Sequence, residues 1–316
     1  MSDININDNE EKVEEASQAE NKPYYERIED ARKELYQHYN RSRRISNILM
    51  FVAVVAICGA MFLILNNNQI LRIVGYSLAG ALLAGMIIFF VINRQKLPNK
   101  VKEYVPFVAK TLNAKTFNKD GFSEITNDYQ EKLAMDDLVS DGVYKDATGI
   151  NSRNVVRGVY RGHHFTYAEV ALLRPSSRKQ QVPPLFVGKY ISVPNQMKFD
   201  GRFIFNFKNP KQPLDIPNAI DDLVALEEKE DFVVYGPENA NYHDVIDNKI
   251  LSQLRKLEII DYLLNVNVVF WGGHTAIYLS YDDPILSVPF EKPFDHRAFE
   301  KSIDDLLICF EAITEE

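Results

Sequence analysis

Cysteine is nearly absent from this chain. Of 316 residues two are cysteines, Cys58 and Cys309. The first lies inside an apolar run and the second in a predicted C-terminal helix, so a disulfide scaffold is not expected and a reducing compartment fits. A surplus of positive charge is also lacking. The net charge is −8, which argues against nucleic acid as a partner, because a phosphate-binding surface needs a basic patch. No Gly-rich loop followed by lysine is there to cradle a phosphate. The acidic doublets Asp136-Asp137, Asp221-Asp222, Asp282-Asp283 and Asp304-Asp305 lack the alternating ligand spacing of a calcium loop and read as solvated surface charge. No cofactor and no metal are therefore expected. Large apolar side chains are scarce in MSDININDNEEKVEEASQAEN, and such a stretch cannot offset its chain entropy. Residues 1–22 read as a disordered acidic tail.

Charge itself is missing from two long stretches. No residue from Ile45 to Leu71 is charged, and none from Ile73 to Asn93. Within them, ILMFVAVVAICGAMFLIL and IVGYSLAGALLAGMIIFFVI are each long enough to cross a hydrocarbon core of about 30 Å. Soluble core helices seldom run so far without a charge, and no signal-peptide cleavage pattern is evident. Residues 45–94 are thus expected to form a two-helix transmembrane hairpin with NNNQ, Asn66 to Gln69, at its tip. Arg41, Arg43 and Arg44 precede it, and Arg94, Lys96, Lys100 and Lys102 follow it. The bend carries only Arg72, which can snorkel. Cationic flanks stay on the cytoplasmic side. The expectation is a two-pass cell-membrane protein with both termini cytoplasmic.

Small residues mark the spans. Ala56 and Ala60 form one small-xxx-small pair and Ala81 and Gly85 another, with Gly75 and Gly80 nearby. They suit packing of the two spans on each other, with a homo-oligomer as the alternative use. Neither span holds an acidic residue or a histidine, which makes the pair a poor ion pathway.

On either side stand helical patterns. Residues 23–44 place Ile28, Ala31, Leu35 and Tyr39 on one face, a juxtamembrane amphipathic helix on which Glu29 and Lys33 are spaced to pair. Residues 95–118 form a linker helix with Val101, Tyr104, Val105, Val108 and Leu112 as its stripe and Pro106 as a point of kinking.

Residues 119–316 read as a cytoplasmic α+β domain. VVRGVYRG and HFTYAEVALL, LFVGKYISVP, KFDGRFIFNF and DFVVYG have strand character. Asp200-Gly201 and Gly272-Gly273 are hairpin signals. Phe203, Phe205 and Phe207 alternate, three rings on one face, as core or as a docking surface. HDVIDNKILSQLRKLEIIDYLL puts Ile246, Ile250, Leu254, Leu257 and Leu264 on one helical stripe. Asp295 is placed to cap a last helix that buries Phe299, Ile303, Leu306, Phe310 and Ile313. Clustered strands with segregated helices imply a largely antiparallel sheet, and a pleckstrin-homology-like curl closed by the last helix is one solution.

Several residues carry a resemblance. Gly158, Tyr160 and Gly162 with Glu169, then Phe186 and Gly188, then Phe232, Val234 and Tyr235 follow the order of a family of uncharacterised bacterial membrane-attached proteins. In that family a domain of unknown function stands behind a transmembrane hairpin. The likeness covers most of residues 100–313. It departs between Glu238 and Leu254, where the family's arginine and proline are missing. It implies a membrane-attached bacterial protein and brings no activity or site residues.

Catalytic candidates are few. His163-His164 beside Glu169 suggests a metal pair, but neighbours on a strand point to opposite faces, and an exposed turn pair is the simpler reading. His243 and Asp244 before a helix could hold acid–base chemistry. Asp244 equally complements the helix dipole, and no nucleophile stands beside it. His274 in WGGHTA is the remaining candidate, in a stretch that otherwise reads as a hairpin. The expected function is a membrane-tethered interaction or adaptor domain, its partners the lipid bilayer and a protein at the inner membrane face. The alternatives are an enzyme acting on a membrane-proximal substrate and an accessory subunit of a membrane transport complex.

Overall fold

The computed structural model describes residues 22–65, 68–139, 141–144, 146–174, 183–194, 201–207, 223–244, 248–257, 263–281 and 290–314, with the side chains of 83, 86–98, 139, 244 and 248 excepted. The acidic tail, Asn66, Asn67, Asp200, Ile246 and the doublets Asp221-Asp222 and Asp282-Asp283 lie outside the described residues. The chain divides into two compact units. One is Met1–Val108 with Val288–Phe294, and the other is Ala109–Ser287 with Asp295–Glu316.

The first unit is built on two long helices, α1 (Tyr24–Ile64) and α2 (Gln69–Phe117), although the end of α2 from Ala109 onward, with Asn113 and Phe117, belongs to the second unit. Pro23 stands just before α1 with φ −52°, suited to a helix start. Ile28 and Leu35 are buried as their spacing requires, and Arg32 is buried with them. Glu29 is spaced to pair with Lys33, yet Arg32 takes it: Nε and Nη2 each donate to a carboxylate oxygen at 2.7 Å, while Lys33 Nζ stands 3.9 Å away. The planar guanidinium fork matches a carboxylate where an ammonium offers one point of charge. Arg32 Nη1 also donates to the Phe290 carbonyl at 2.8 Å, and the Phe294 N–H donates to Glu29 at 3.2 Å. The segment Phe290–Phe294 is thereby held against α1, a contact that the local pattern does not announce.

Beyond Ile45 the surface of α1 turns apolar. Phe51 is 71% exposed and Phe62 74%. Tyr24–Ile64 is long and apolar enough to cross a membrane, and Gln69–Leu82 is a shorter apolar stretch of α2. Ala60 is fully buried. A Cβ on Gly75 would lie 2.8 Å from Ile64 Cγ1 and 3.0 Å from the Ala60 carbonyl oxygen. Ala60 and Gly75 therefore serve a close contact between α1 and α2 of the same chain. Lys100 and Glu34 form an ion pair at 3.3 Å. The helix α2 continues past Pro106 without a break.

The second unit is α+β. The strands are β1 (Phe122–Asp128), β2 (Gly149–Tyr160), β3 (His163–Leu173), β4 (Phe186–Pro194), β5 (Arg202–Phe207), β6 (Val224–Glu228), β7 (Phe232–Gly236), β8 (Leu263–Trp271) and β9 (His274–Tyr281). Short helices α3 (Met135–Val139) and α4 (Asn248–Leu254), a 3-10 turn (Tyr242–Asp244) and the last helix α5 (His296–Thr314) complete it. Among the described residues all nine strands form one sheet in the order β1-β2-β3-β4-β9-β8-β5-β7-β6, every pair antiparallel.

Alternation along the central strands divides the sheet into two buried faces, while the edge strands β1 and β6 are mostly exposed. On the helical face Phe165, Tyr167, Ile191, Phe203, Phe205, Phe207, Val268 and Ile277 meet Phe117 of α2, Leu254 of α4 and Leu306 and Phe310 of α5. The three alternating phenylalanines are core. On the opposite face Ala168, Val170, Tyr190, Val269 and Tyr278 are covered by Leu133, Leu138, Val143 and Ala147 from the stretch between β1 and β2. The Asp295 carboxylate caps α5, accepting from the N–H groups of Arg297 and Ala298 at 3.1 Å.

Two expectations are corrected. The helical stripe does not reach Leu264, because α4 ends at Leu254 and Leu263–Trp271 is a strand paired with β9. Both settings bury leucine, so its spacing alone could not tell them apart. The Asp200-Gly201 signal does not join β5 to the strand before it. β5 pairs with β7 and β8 instead.

The glycines of the quoted motifs have steric reasons. Arg161 and Gly162, both with positive φ (47° and 89°), make the tight β2–β3 turn. A Cβ on Gly188 would fall 2.0 Å from the Leu279 carbonyl oxygen, which is backbone of the adjacent strand and cannot swing aside. Gly188→Ala is expected to cost about 3 kcal/mol or more. The measurement is urea unfolding of the full chain in detergent, with Gly273→Ala, whose Cβ would meet nothing within 4 Å, as the milder comparison.

Candidate functional site

One end of the covered face carries a row of polar side chains that the pleat alone aligns. Arg157 of β2 stands opposite Thr166 of β3, and Thr166 opposite Ser192 of β4. His274 of β9 stands opposite Trp271 of β8. With Tyr190, and with Leu133 and Asp137 as a wall from the covering stretch, they enclose a cleft of about 400 Å³. A second depression of about 240 Å³ shares Arg157 and Thr166 and extends toward Glu124 of β1 and His164 of β3.

The cleft has one aromatic side and one hydroxyl side. The His274 imidazole stacks on the Trp271 indole, centroids 5.5 Å apart and planes at 28°. Thr166, Tyr190 and Ser192 supply hydroxyls. Burial pushes the Tyr190 phenol up to about 12, against the Ser192 hydrogen bond that lowers it, so it stays a neutral donor. The Arg157 guanidinium is engaged with Glu131 at 2.5 Å. Among the described residues no carboxylate is hydrogen-bonded to His274.

The wall is fixed by Asp141, which is fully buried. Its carboxylate accepts from the Val143 N–H at 3.0 Å and from the Tyr278 hydroxyl. That hydroxyl also lies 3.0 Å from the Leu138 carbonyl oxygen. One hydroxyl hydrogen thus faces two acceptors. A protonated Asp141 removes the conflict by donating to the Tyr278 oxygen, which frees the phenol to donate to Leu138. Burial accordingly raises the Asp141 carboxyl to about 6, against hydrogen bonds from Tyr278 and Val143 and the nearby Arg202 charge. Arg202 lies over Gly142, where a Cβ would sit 1.4 Å from its Nη1.

His274 is the sequence candidate found in the cleft. His243 lies in the 3-10 turn, exposed, its ring 4.0 Å from that of Tyr242. Tyr242 packs on Phe205 of the helical face. His243 and His274 therefore belong to opposite faces and form no joint site. The side chain of Asp244 lies outside the described residues. His163 and His164 open β3 rather than forming a turn, and they alternate between the faces. Trp271, Tyr190 and Arg157 are not singled out from the sequence, and Asp137 reads there only as part of a solvated doublet. Only the register across non-adjacent strands brings them together. Among the described residues no group of three or more metal-ligating side chains occurs.

No family model matches the chain, and no curated protein is similar to it. Among solved structures, the crystal structure of the mycobacterial trehalose monomycolate transport factor A, TtfA, is similar at 13% identity. The likeness covers 63% of this chain and 95% of that one, with a TM-score of 0.37.

A raised folded-state pKa means that the Asp141 contribution to stability is full below about 4 and is lost as pH rises through about 6. Asp141→Asn keeps an acceptor for Val143 and adds a donor for Tyr278. It is expected to raise unfolding stability at pH 7.5 by on the order of 1–2 kcal/mol and to lessen the fall between pH 4 and 6. Urea unfolding followed by the fluorescence of Trp271, the one tryptophan of the chain, measures both.

Proposed function

We propose that this is a two-pass membrane protein that holds a non-catalytic binding domain on the cytoplasmic side, with both termini inside. The observation that carries the reading is the outward apolar surface of α1. Ile48, Met50, Phe51, Val54, Met61 and Phe62 are all exposed on a stretch without a single charge. Water would charge about 25 cal/mol for each Å² of such surface, and lipid would not. The second charge-free run, Ile73 to Asn93 in α2, is the returning span. The asymmetry of Arg41, Arg43, Arg44, Lys100 and Lys102 against a lone Arg72 sets the orientation. Kinship with the uncharacterised membrane-attached bacterial family belongs to the same proposal, supported by the steric need for glycine at 162 and 188.

Binding rather than catalysis is supported by the cleft. It offers an aromatic side, hydroxyl donors and one carboxylate. His274 stacks on Trp271 and, among the described residues, has no orienting acid. A docking partner held by such a domain gains effective concentration at the membrane surface.

Two measurements test this. In a Cys58→Ser chain carrying Asn67→Cys, a membrane-impermeant thiol reagent added to intact cells is expected to label residue 67, and a reporter at Glu316 to be active inside. Labelling only after lysis, or a reporter active outside, reverses the topology. Proximity labelling from the C-terminus followed by mild-detergent pull-down is expected to return a reproducible protein partner. Recovery of stoichiometric membrane proteins selects the transport-subunit reading. Turnover of a small molecule by the purified chain, lost in His274→Gln, selects the enzyme.

A further inference from the structure

The helical face of the sheet buries two opposite charges side by side. Glu169 of β3 and Lys189 of β4 are directly paired residues, 3% and 7% exposed. Each is tied to a different element. The Glu169 carboxylate accepts from Arg153 Nε at 3.3 Å and from Asn154 Nδ2 at 3.2 Å, both on β2. Asn154 is held at φ +57° where the β2–β3 register slips between Arg153 and Val156, and its side chain bonds reciprocally with Asn113 of α2. Lys189 Nζ instead points to α5. It donates to Ser302 Oγ at 3.1 Å and lies 5.3 Å from the centre of the Tyr281 ring of β9.

A third buried charge faces this pair. Asp305 of α5 is 3% exposed, against the surface expected for the Asp304-Asp305 doublet, while Asp304 points outward at 69%. Asp305 acts on Lys189 electrostatically, as Glu169 does, and buried Cys309 stands near both. Tyr167, on β3 with Glu169, is pushed up by burial. One ammonium is thus flanked by two carboxylates, one on the sheet and one on the helix. A pocket of about 170 Å³ beside the bulge is lined by Glu169 together with Asn151, Arg153 and Val187.

We propose that Glu169 is the proton-binding site of a latch that fastens α5 to the sheet. With the proton on, Lys189 is left to Asp305 and Ser302 and the helix is held shut. With the proton off, Lys189 is drawn to the strand carboxylate, three buried charges compete, and α5 opens more often. The proton comes from and returns to water through the pocket beside the bulge. Burial supports this direction. It raises the Glu169 carboxyl to about 7, against Arg153, Asn154 and Lys189, and lowers the Lys189 ammonium to about 8, against Glu169 and Asp305. The closed state then binds protons more tightly than the open one between about pH 4.5 and 7, so opening must rise with pH in that window.

Cys309 supplies the readout. In the full chain with Cys58→Ser it is the one thiol, it is fully buried, and it sits on α5. Its native labelling rate, divided at each pH by the rate in the urea-unfolded chain, measures opening free of the thiol's own ionisation. Opening is expected to rise about tenfold or more from pH 5.5 to 7.5, and Glu169→Gln to flatten that rise. A rise of equal slope in the Glu169→Gln chain overturns the proposal, as does a flat profile in the parent. Should Glu169→Gln not fold, hydrogen exchange on the parent chain decides. Protection of α5 is expected to fall with pH relative to β7, and a constant ratio overturns the latch. Neither readout depends on which side of a membrane the domain faces.

Discussion

A sheet nine strands wide has two faces to keep dry, and the architecture of the second unit follows from that requirement. An antiparallel sheet usually leaves one face to water. Here β3, β4, β8 and β9 are buried on both faces along most of their length, so both faces need cover. Helices meet the need on one side. On the other it falls to the stretch between β1 and β2, irregular apart from the single short helix α3, which buries Leu133, Leu138 and Val143 yet must also satisfy its own backbone. Tyr278, reaching into the stretch, and Asp141, within it, do part of that.

The same requirement explains why acid side chains lie inside at all. Asp141 and Glu169 sit on opposite faces, each where a cover meets the sheet, and in each the cost of desolvation exceeds the help from its partners. Neither is a bargain for stability. A buried ion pair seldom outperforms an apolar replacement of similar volume. What such groups add is dependence on protonation, localised at two joints of the structure, together with a polar address that fixes which helix or loop covers which strands.

The first unit obeys a different solvent rule. Its helices are exposed where they are most apolar, and α1 is buried where it carries Arg32, with Glu29 half-buried beside it. Small residues settle the remaining geometry. Gly75 leaves room for the Ala60 carbonyl, while a Cβ added at Gly80 or Gly85 would meet nothing within 4 Å among the described residues. The close approach between α1 and α2 is therefore set by one position rather than by the whole stripe.

Much of this was fixed by local chemistry and is readable in the chain itself. Charge-free runs, the Asp295 cap, the Gly273 turn, the alternation of Phe203, Phe205 and Phe207 and the stripe of α5 all depend on neighbours within a few positions, which a sequence displays directly. The tertiary structure alone decided the rest. Leu264 lies in a strand because β9 offered the segment around it, Leu263–Trp271, a partner. Asp305 went inside because Lys189, 116 positions away by its number, was waiting on β4. The cleft joined Arg157 to Trp271 through strands that are adjacent in space and distant in the chain. Hydrophobic spacing specifies which side of an element is buried, but not what lies against it. That second choice belongs to register and strand order, which no local pattern encodes.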